Sequence, residues 1–333
     1  MKTVIQKFIV LILLFTCAYS YAQQTGNNYF VDAMEAYRHG NHNIALAELD
    51  SVFLVAPNHS QAHRLRAKIW EAKDSGKRAL LDYDRAIESN PSYIQAYLER
   101  AHLRFELDFH RDYILKDLDQ AIILEPGNYK HYVLKAYYLA NTSHPKLFKP
   151  DFAAAINEVG VAIAIEKENA YLYSLRSKYK VEHTQFLSAL NDINEAIALA
   201  DTVDQYHAQR GLIRLMIEDF KSAMSDYTRA IQRNDKNQEY YRLRAHAKYN
   251  LGYYDGAIKD YDACISLIKD DILKEKTAIQ QSHPLNKALR SALLLRGMAL
   301  VQTNSRYDGC DDFDRAFEMG ERKAVNYIRR YCN

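Results

Sequence analysis

Two columns of charged residues, recurring at fixed places, hold most of the side chains able to do chemistry in this 333-residue chain. The basic column is Arg66, Arg100, Lys135, Arg176, Arg210, Arg244 and Arg296, with Arg330 in the same register near the end and Asp32 where the first base would stand. The acidic column is Glu48, Asp82, Asp117, Glu158, Asp192, Asp226, Asp260 and Asp312. Guanidinium and carboxylate groups in such matched columns can grip an acidic ligand or pair with each other through charge-assisted hydrogen bonds. The regular match between the two columns favours pairing. The ends suggest which partners meet. If each base takes the acid of the preceding repeat, Glu48 meets Arg66, Asp82 meets Arg100 and Asp312 meets Arg330, whereas pairing within a repeat strands Glu48 and Arg330. The expectation is an inter-repeat ladder that sets the stacking register.

Other chemistry is sparse. The chain has no HExxH, CxxC or GxSxG, and no glycine-rich phosphate loop. His39 and His42 lie close together but lack a third ligand, so no metal or other cofactor is expected. The carboxylates fall in register with the repeat, which argues for structural or solvated roles and against an acid/base pair. The cysteines are Cys17, Cys264, Cys310 and Cys332. An antiparallel helix pair with 312 opposite 330 puts Cys310 level with Cys332, which suits a disulfide. Two residues also rotate a helix by about 200°, which can aim the two thiols apart. Cys264 sits in a small-residue column and is expected to be a buried, inert thiol.

The elements that carry these columns follow from internal repetition. DYDRAIESNP at 82–91 returns as DLDQAIILEP, DINEAIALAD, DYTRAIQRND and DYDACISLIK. Aligned on Val52, Ala86, Ala121, Ala162, Ala196, Ala230, Cys264 and Ala316, the copies are spaced by 34, 35, 41, 34, 34, 34 and 52 residues. Each copy reads as two amphipathic helices, with apolar and small residues at three- and four-residue steps. A hairpin of this size cannot bury its apolar face alone, so neighbours must stack. The seven extra residues of the fourth copy fall in NTSHPKLFKPD, a proline-containing loop at 141–151. The larger insertion near 268–287 continues a helical pattern until Ser282, His283 and Pro284 break it, so two lengthened helices are expected there.

Small residues at Ala33, Ala67, Ala101, Ala136, Ser177, Gly211, Ala245 and Gly297 form one column. A second runs Ala45, Ala79, Ile114, Ala155, Ala189, Ala223, Ala257 and Gly309. With the 34-residue period, these columns resemble the tetratricopeptide repeat (TPR) family. The resemblance implies an all-α, right-handed superhelical solenoid of about eight helical hairpins with a C-terminal capping helix. The repeats would fall near 26–59, 60–93, 94–128, 129–169, 170–203, 204–237, 238–289 and 290–323, with the cap at 324–333. It also implies a concave groove that binds protein or peptide. By that geometry the groove takes Tyr37, Phe105, Tyr137, Tyr171 and Tyr249, and beside them Arg64, Lys68, His102, Lys178, Leu212, Arg242 and His246. Family members that bind chaperone C-termini use a Lys and Asn clamp, which the face Met34, Lys68, His102, Tyr137 and Lys178 does not reproduce.

The chain opens with Lys2 and Lys7, an apolar run from Phe8 to Phe15, and Ser20-Tyr21-Ala22. This pattern reads as a secretory signal peptide over 1–22, cleaved after Ala22. A lipid anchor at Cys17 is disfavoured, because Phe15 and Thr16 stand where a lipobox has small residues. Beyond residue 22 the chain carries 42 basic and 42 acidic side chains, which gives nucleic acid or an anionic membrane no long-range attraction. The expectation is a non-catalytic, exported envelope protein, periplasmic or secreted, that binds a protein or peptide. The alternative is an envelope-assembly or carbohydrate-handling accessory with glycan in an aromatic groove.

Overall fold

The computed structural model describes residues 24–141, 149–274 and 283–332. Within them every regular element is a helix. The chain forms two compact units, one ending at Ile165 and one beginning at Glu166.

The first unit holds α1 (24–38), α2 (His42–Val55), α3 (Ser60–Ala72), α4 (Gly76–Ser89), α5 (Ile94–Glu106), α6 (Arg111–Leu124), α7 (Tyr129–Ala140) and α8 (Phe152–Ile165). These pack as four hairpins, α1/α2 to α7/α8. The second unit holds α9 (Ala170–Glu182), α10 (Phe186–Leu199), α11 (Asp204–Met216), α12 (Phe220–Arg233), α13 (Gln238–Asn250), α14 (Tyr254–Lys274), α15 (Pro284–Leu300), α16 (Arg306–Glu318) and α17 (Ala324–Tyr331). Four further hairpins result, with α17 packed on the last.

The columns read from the sequence are the packing surfaces. Ala33, Ala67, Ala101, Ala136, Ser177 and Ala245 on the first helices are fully buried. Each faces one bulky residue of the second helix of the same hairpin, in turn Leu49, Tyr83, Leu118, Val159, Ile193 and Tyr261, and Tyr227 and Phe313 stand likewise opposite Gly211 and Gly297, all buried at 0 or 1% exposure. Close approach of the two helices explains the small residues. A Cβ on Gly211 would stand 3.0 Å from the Tyr227 ring, and one on Gly297 would stand 2.7 Å from Phe313. Cys264, in the last small column, is 1% exposed, and burial pushes its thiol up to about 12.

The turn between the two helices of a hairpin has its own rule. Gly40, Asp74, Asp108, Thr184, Glu218, Gly252 and Asn304 all take positive φ, between 52° and 76°. The left-handed residue ends the first helix and redirects the chain into the second. Thr184 and Glu218 carry a Cβ in a conformation that suits glycine.

The insertions bear on α7/α8 and α14/α15. Residues 142–148 and 275–282 lie outside the described residues. On either side of the second gap, α14 has 21 residues where α12 has 14, and α15 has 17 where α13 has 13. Pro284 occupies the first turn of α15, and the His283 ring accepts a hydrogen bond from the Leu285 amide. The expected leader at 1–22, including Cys17, also lies outside the described residues.

The two charged columns do pair, but not between repeats. Arg66 binds both oxygens of Asp82 at 2.9 and 2.8 Å, within α3/α4. Arg100 with Asp117, Arg176 with Asp192, Arg210 with Asp226, Arg244 with Asp260 and Arg296 with Asp312 repeat that fork inside their own hairpins. Lys135 reaches Glu158 at 2.7 Å in the same way. The inter-repeat ladder is therefore corrected to an intra-hairpin fork. The base precedes the small residue that faces its own second helix, and the acid precedes the bulky residue that fills the gap. Both charges consequently enter the same cleft. Asp117, Asp226 and Asp312 are almost fully buried there.

The link to the preceding hairpin is made by the base's remaining nitrogen, two residues beyond the acid column. Arg100 Nη1 donates to Asp84 at 2.6 Å and Arg296 Nη1 to Asp262 at 2.6 Å. Lys135 Nζ lies 2.8 Å from Asp119, Arg210 Nη1 donates to Asn194 at 2.9 Å, and Arg244 Nη1 to Thr228 at 3.3 Å. The ends are left over, as intra-hairpin pairing requires. Glu48 is half-buried and has no ion pair among the described residues. Arg330 is exposed, with its guanidinium 5.2 Å from the Tyr331 ring, because Asp312 belongs to Arg296.

A second base one turn after the first was missed from sequence. Arg104, Lys180, Arg214 and Lys248 lie 2.6 to 2.8 Å from Asp117, Asp192, Asp226 and Asp260. At α3/α4 this place is Trp70, and His63 takes part instead, 3.5 Å from Asp82. Burial alone would raise the Asp82 carboxyl, but the nearby His63 ring and the Arg66 fork outweigh it and hold it below the usual carboxylate range.

At the C-terminal end Cys310 and Cys332 form a disulfide between α16 and the end of α17. Tyr327 stacks on Phe313 at 5.4 Å, and Arg306 donates to the Tyr331 carbonyl. The eight-residue α17 is too short to persist alone, so these contacts hold it.

Candidate functional site

The faces available to a ligand are those of the first helices that do not meet the second helices. In the first unit these belong to α1, α3, α5 and α7. Arg64 is committed: Nε and Nη2 bind both carboxylate oxygens of Glu99 on α5 at 2.7 and 2.6 Å. Lys68 pairs with Glu71 at 3.1 Å. Tyr37 is half-buried and lies 5.7 Å from His42. Phe105 packs into the hairpin core 4.9 Å from Tyr138. His102 is exposed and shares a 3.1 Å hydrogen bond with the Tyr138 hydroxyl. Burial pushes that hydroxyl up to about 12. Tyr137, 46% exposed, stands edge-on to Tyr138. What this face offers is one exposed tyrosine and one exposed histidine on a base of satisfied ion pairs.

The second unit has a different character. A cavity of about 490 Å³ opens on α9, α11 and α13, and Lys178, Leu212 and Arg242 all line it. Its wall is mostly apolar, with Val181, Ala208, Leu212, Met216 and Leu243. Gln209 braces the floor, accepting from the Ser174 hydroxyl at 2.7 Å and donating to the Ser174 carbonyl at 2.9 Å. Arg242 is tied to Glu239 one turn earlier, which neutralises that side of the rim. His246 sits behind Arg242, and burial together with that positive charge lowers its pKa. Tyr249 is half-buried, edge-on to Tyr254 at 5.3 Å, and belongs to the core of its hairpin. Tyr171 is 54% exposed.

The structure thus brings Lys178, Leu212 and Arg242 together. It assigns Tyr37, Phe105 and Tyr249 largely to the core, and Arg64 and Lys68 to ion pairs. The sequence reading passed over Met216, Glu182 and Gln209. The signal for the first was present: Ala208, Leu212 and Met216 follow at four-residue steps, a second apolar stripe on a helix already carrying one. Among the described residues no group of three or more His, Cys, Asp or Glu is placed to hold a metal ion. No described helix is long and apolar enough to cross a membrane.

No protein-family model matches the chain. Among curated proteins it is similar to the DnaJ protein P58IPK homolog A of Oryza sativa subsp. japonica, 29% identical over 172 residues, covering 46% of this chain and 34% of that protein. The match to homolog B covers 31% of that protein, so the chain spans about a third of the length of the curated relatives it matches. Among solved structures, Pseudomonas aeruginosa PilF is 14% identical, over 71% of this chain and 97% of that one, with a TM-score of 0.50. A chain of the APC/C hetero-tetramer Cut9–Hcn1 is 11% identical, over 90% of this chain and 55% of that one, also at 0.50. At such identities the likeness concerns the fold alone. With the 34-residue period, the paired helices and the buried small columns already in view, the chain is a tetratricopeptide-repeat array in fold.

Proposed function

We propose that this chain is a non-catalytic scaffold that binds a protein or peptide on the exposed faces of its first helices, after export to the bacterial cell envelope. The observation that carries the proposal is the cavity on α9, α11 and α13, where apolar side chains lie open beside Lys178 and Arg242. Apolar area ringed by a few placed polar groups suits recognition of a side chain presented by another molecule. Rigid packed hairpins and firmly paired charges hold that surface ready, which lowers the ordering cost of binding. Export is supported by the apolar leader at 1–22, cleaved after Ala22, and by the Cys310–Cys332 disulfide, a bond that persists in oxidising compartments.

Pull-down from the source cell, run beside glycan-array binding by the same full chain, tests the proposal. The expected result is a reproducible protein partner and a mature N-terminus at Gln23. Retention on polysaccharide with no protein recovered contradicts it and favours the carbohydrate-handling alternative.

A further inference from the structure

The two end hairpins are finished in different ways. α1, with no described helix before it, exposes Asn28 and Glu35 in the places where α3 buries Ala62 and Ile69 and α5 buries Ala96 and Leu103. Polar residues there give that end a surface suited to water. The last hairpin is closed by a separate piece. Tyr327, Ile328 and Tyr331 of α17 pack on a core that includes Leu289, Leu293, Phe313 and Ala316, and Ala324 at the start of α17 is fully buried. If α17 leaves, apolar surface on α15/α16 meets water.

Two devices hold α17, and both can be undone. The first is the Cys310–Cys332 bond. Both cysteines are half-buried, within reach of a thiol in solution, whereas Cys264 is 1% exposed. The second is the turn at 319–323. Gly320 takes φ of 93°, Arg290 Nη1 donates to the Met319 carbonyl at 3.0 Å, and the Glu321 amide donates to the Ala316 carbonyl at 2.8 Å. Those few bonds sit at one place, so a change of backbone angles there swings α17 away while α15/α16 stay packed. Eight residues do not persist as a free helix, so α17 is stable only against a surface like the one it left. A second copy of this chain carries that surface, with Cys310 beside it.

We propose that the Cys310–Cys332 bond is an exchangeable latch on α17. Opened by thiol exchange, it lets two copies trade α17 and close as a dimer, with Cys310 of each copy bonded to Cys332 of the other. A small thiolate attacks Cys332 Sγ, which forms a mixed disulfide and releases Cys310 as a thiolate. α17 then swings to a second copy opened in the same way. The Cys310 thiolate of that copy attacks the Cys332 sulfur, forms the bond between copies and returns the small thiol. The reciprocal step closes the other side. Disulfides are neither gained nor lost overall, so the exchange needs a thiol as catalyst and no oxidant. It is independent of what the first helices bind.

The test mixes isotope-labelled and unlabelled full chain at high concentration, with and without reduced glutathione, and then blocks free thiols. Light scattering on a sizing column reads the mass, and mass spectrometry of tryptic peptides 307–315 and 331–333 reads the bonds. With the thiol, the expected result is a species of twice the mass in which labelled 307–315 is bonded to unlabelled 331–333. Ala324→Asp, which spoils the seat of α17, is expected to abolish that species; Tyr327→Ala serves as the second variant if Ala324→Asp does not fold. Return of the thiol-treated mixture to monomers bonded only within each chain overturns the proposal. So do mixed bonds formed without thiol, a dimer bonded through Cys264, or a dimer that persists in folded Ala324→Asp.

Discussion

Arg244 donates from Nε and Nη2 to the two oxygens of Asp260, each at 2.8 Å, within a single hairpin. Lys248 adds a second cation 2.8 Å from the same carboxylate, and Arg244 Nη1 turns back to Thr228 of the preceding hairpin. One residue thus closes its own hairpin and touches the one before it.

Arg244→Ala leaves Asp260 buried with Lys248 as its one close cation. The loss of a buried pair's partner costs about 3 kcal/mol, less than the upper values for a pair with no remaining partner. Chemical denaturation is expected to show that loss with an unchanged slope. An unaltered midpoint would contradict the fork's structural role.

The pairing rule shows where sequence stops informing. The period, the two small columns and the two charged columns were legible because each repeats a packing constraint. The partner of each base was not. Arg66 lies 16 residues before Asp82 and 18 after Glu48, so sequence distance does not separate the candidates. The assumption that no end residue is left unpaired chose wrongly, because Glu48 and Arg330 retain access to water and need no ion pair. Arg64 and Arg242 were read as groove contacts for a related reason. Glu99 becomes a neighbour of Arg64 only when hairpins stack, whereas Glu239, one turn from Arg242, was a local partner that the sequence already displayed.

Acid stability follows from Asp82. Its folded pKa is depressed, so its contribution is fully present above the unfolded aspartate value of about 3.9 and is lost as pH falls through the lower folded value. Asp82→Asn is expected to destabilise the chain at neutral pH and to flatten the dependence of stability on pH below about 4. Parallel acid limbs for the two proteins would refute the assignment.

The disulfide should act locally. Its ends are 22 residues apart, and a loop of that length corresponds to about 3 kcal/mol in the chain-entropy account. Cys310→Ser is expected to raise amide exchange in α17 and the end of α16 while leaving α9 to α13 protected. Cys264, buried with its thiol pushed up to about 12, should resist alkylation until the chain unfolds. Rapid labelling of Cys264 in the folded chain would contradict its burial.

Thr184 ends the first helix of its hairpin with φ at 59°. A β-branched residue pays for that conformation, so Thr184→Gly is expected to stabilise the chain by about 1 kcal/mol despite glycine's entropy. A lower melting temperature would show that the threonine side chain contributes more than the backbone costs.

The most direct test of the binding account is lysine crosslinking with mass spectrometry in the source cell. Lys178 lies on the first-helix face that lines the cavity, whereas Lys116, Lys221 and Lys259 lie on second helices. The account predicts that crosslinks to a partner protein concentrate at Lys178. Crosslinks confined to Lys116, Lys221 and Lys259 would contradict it.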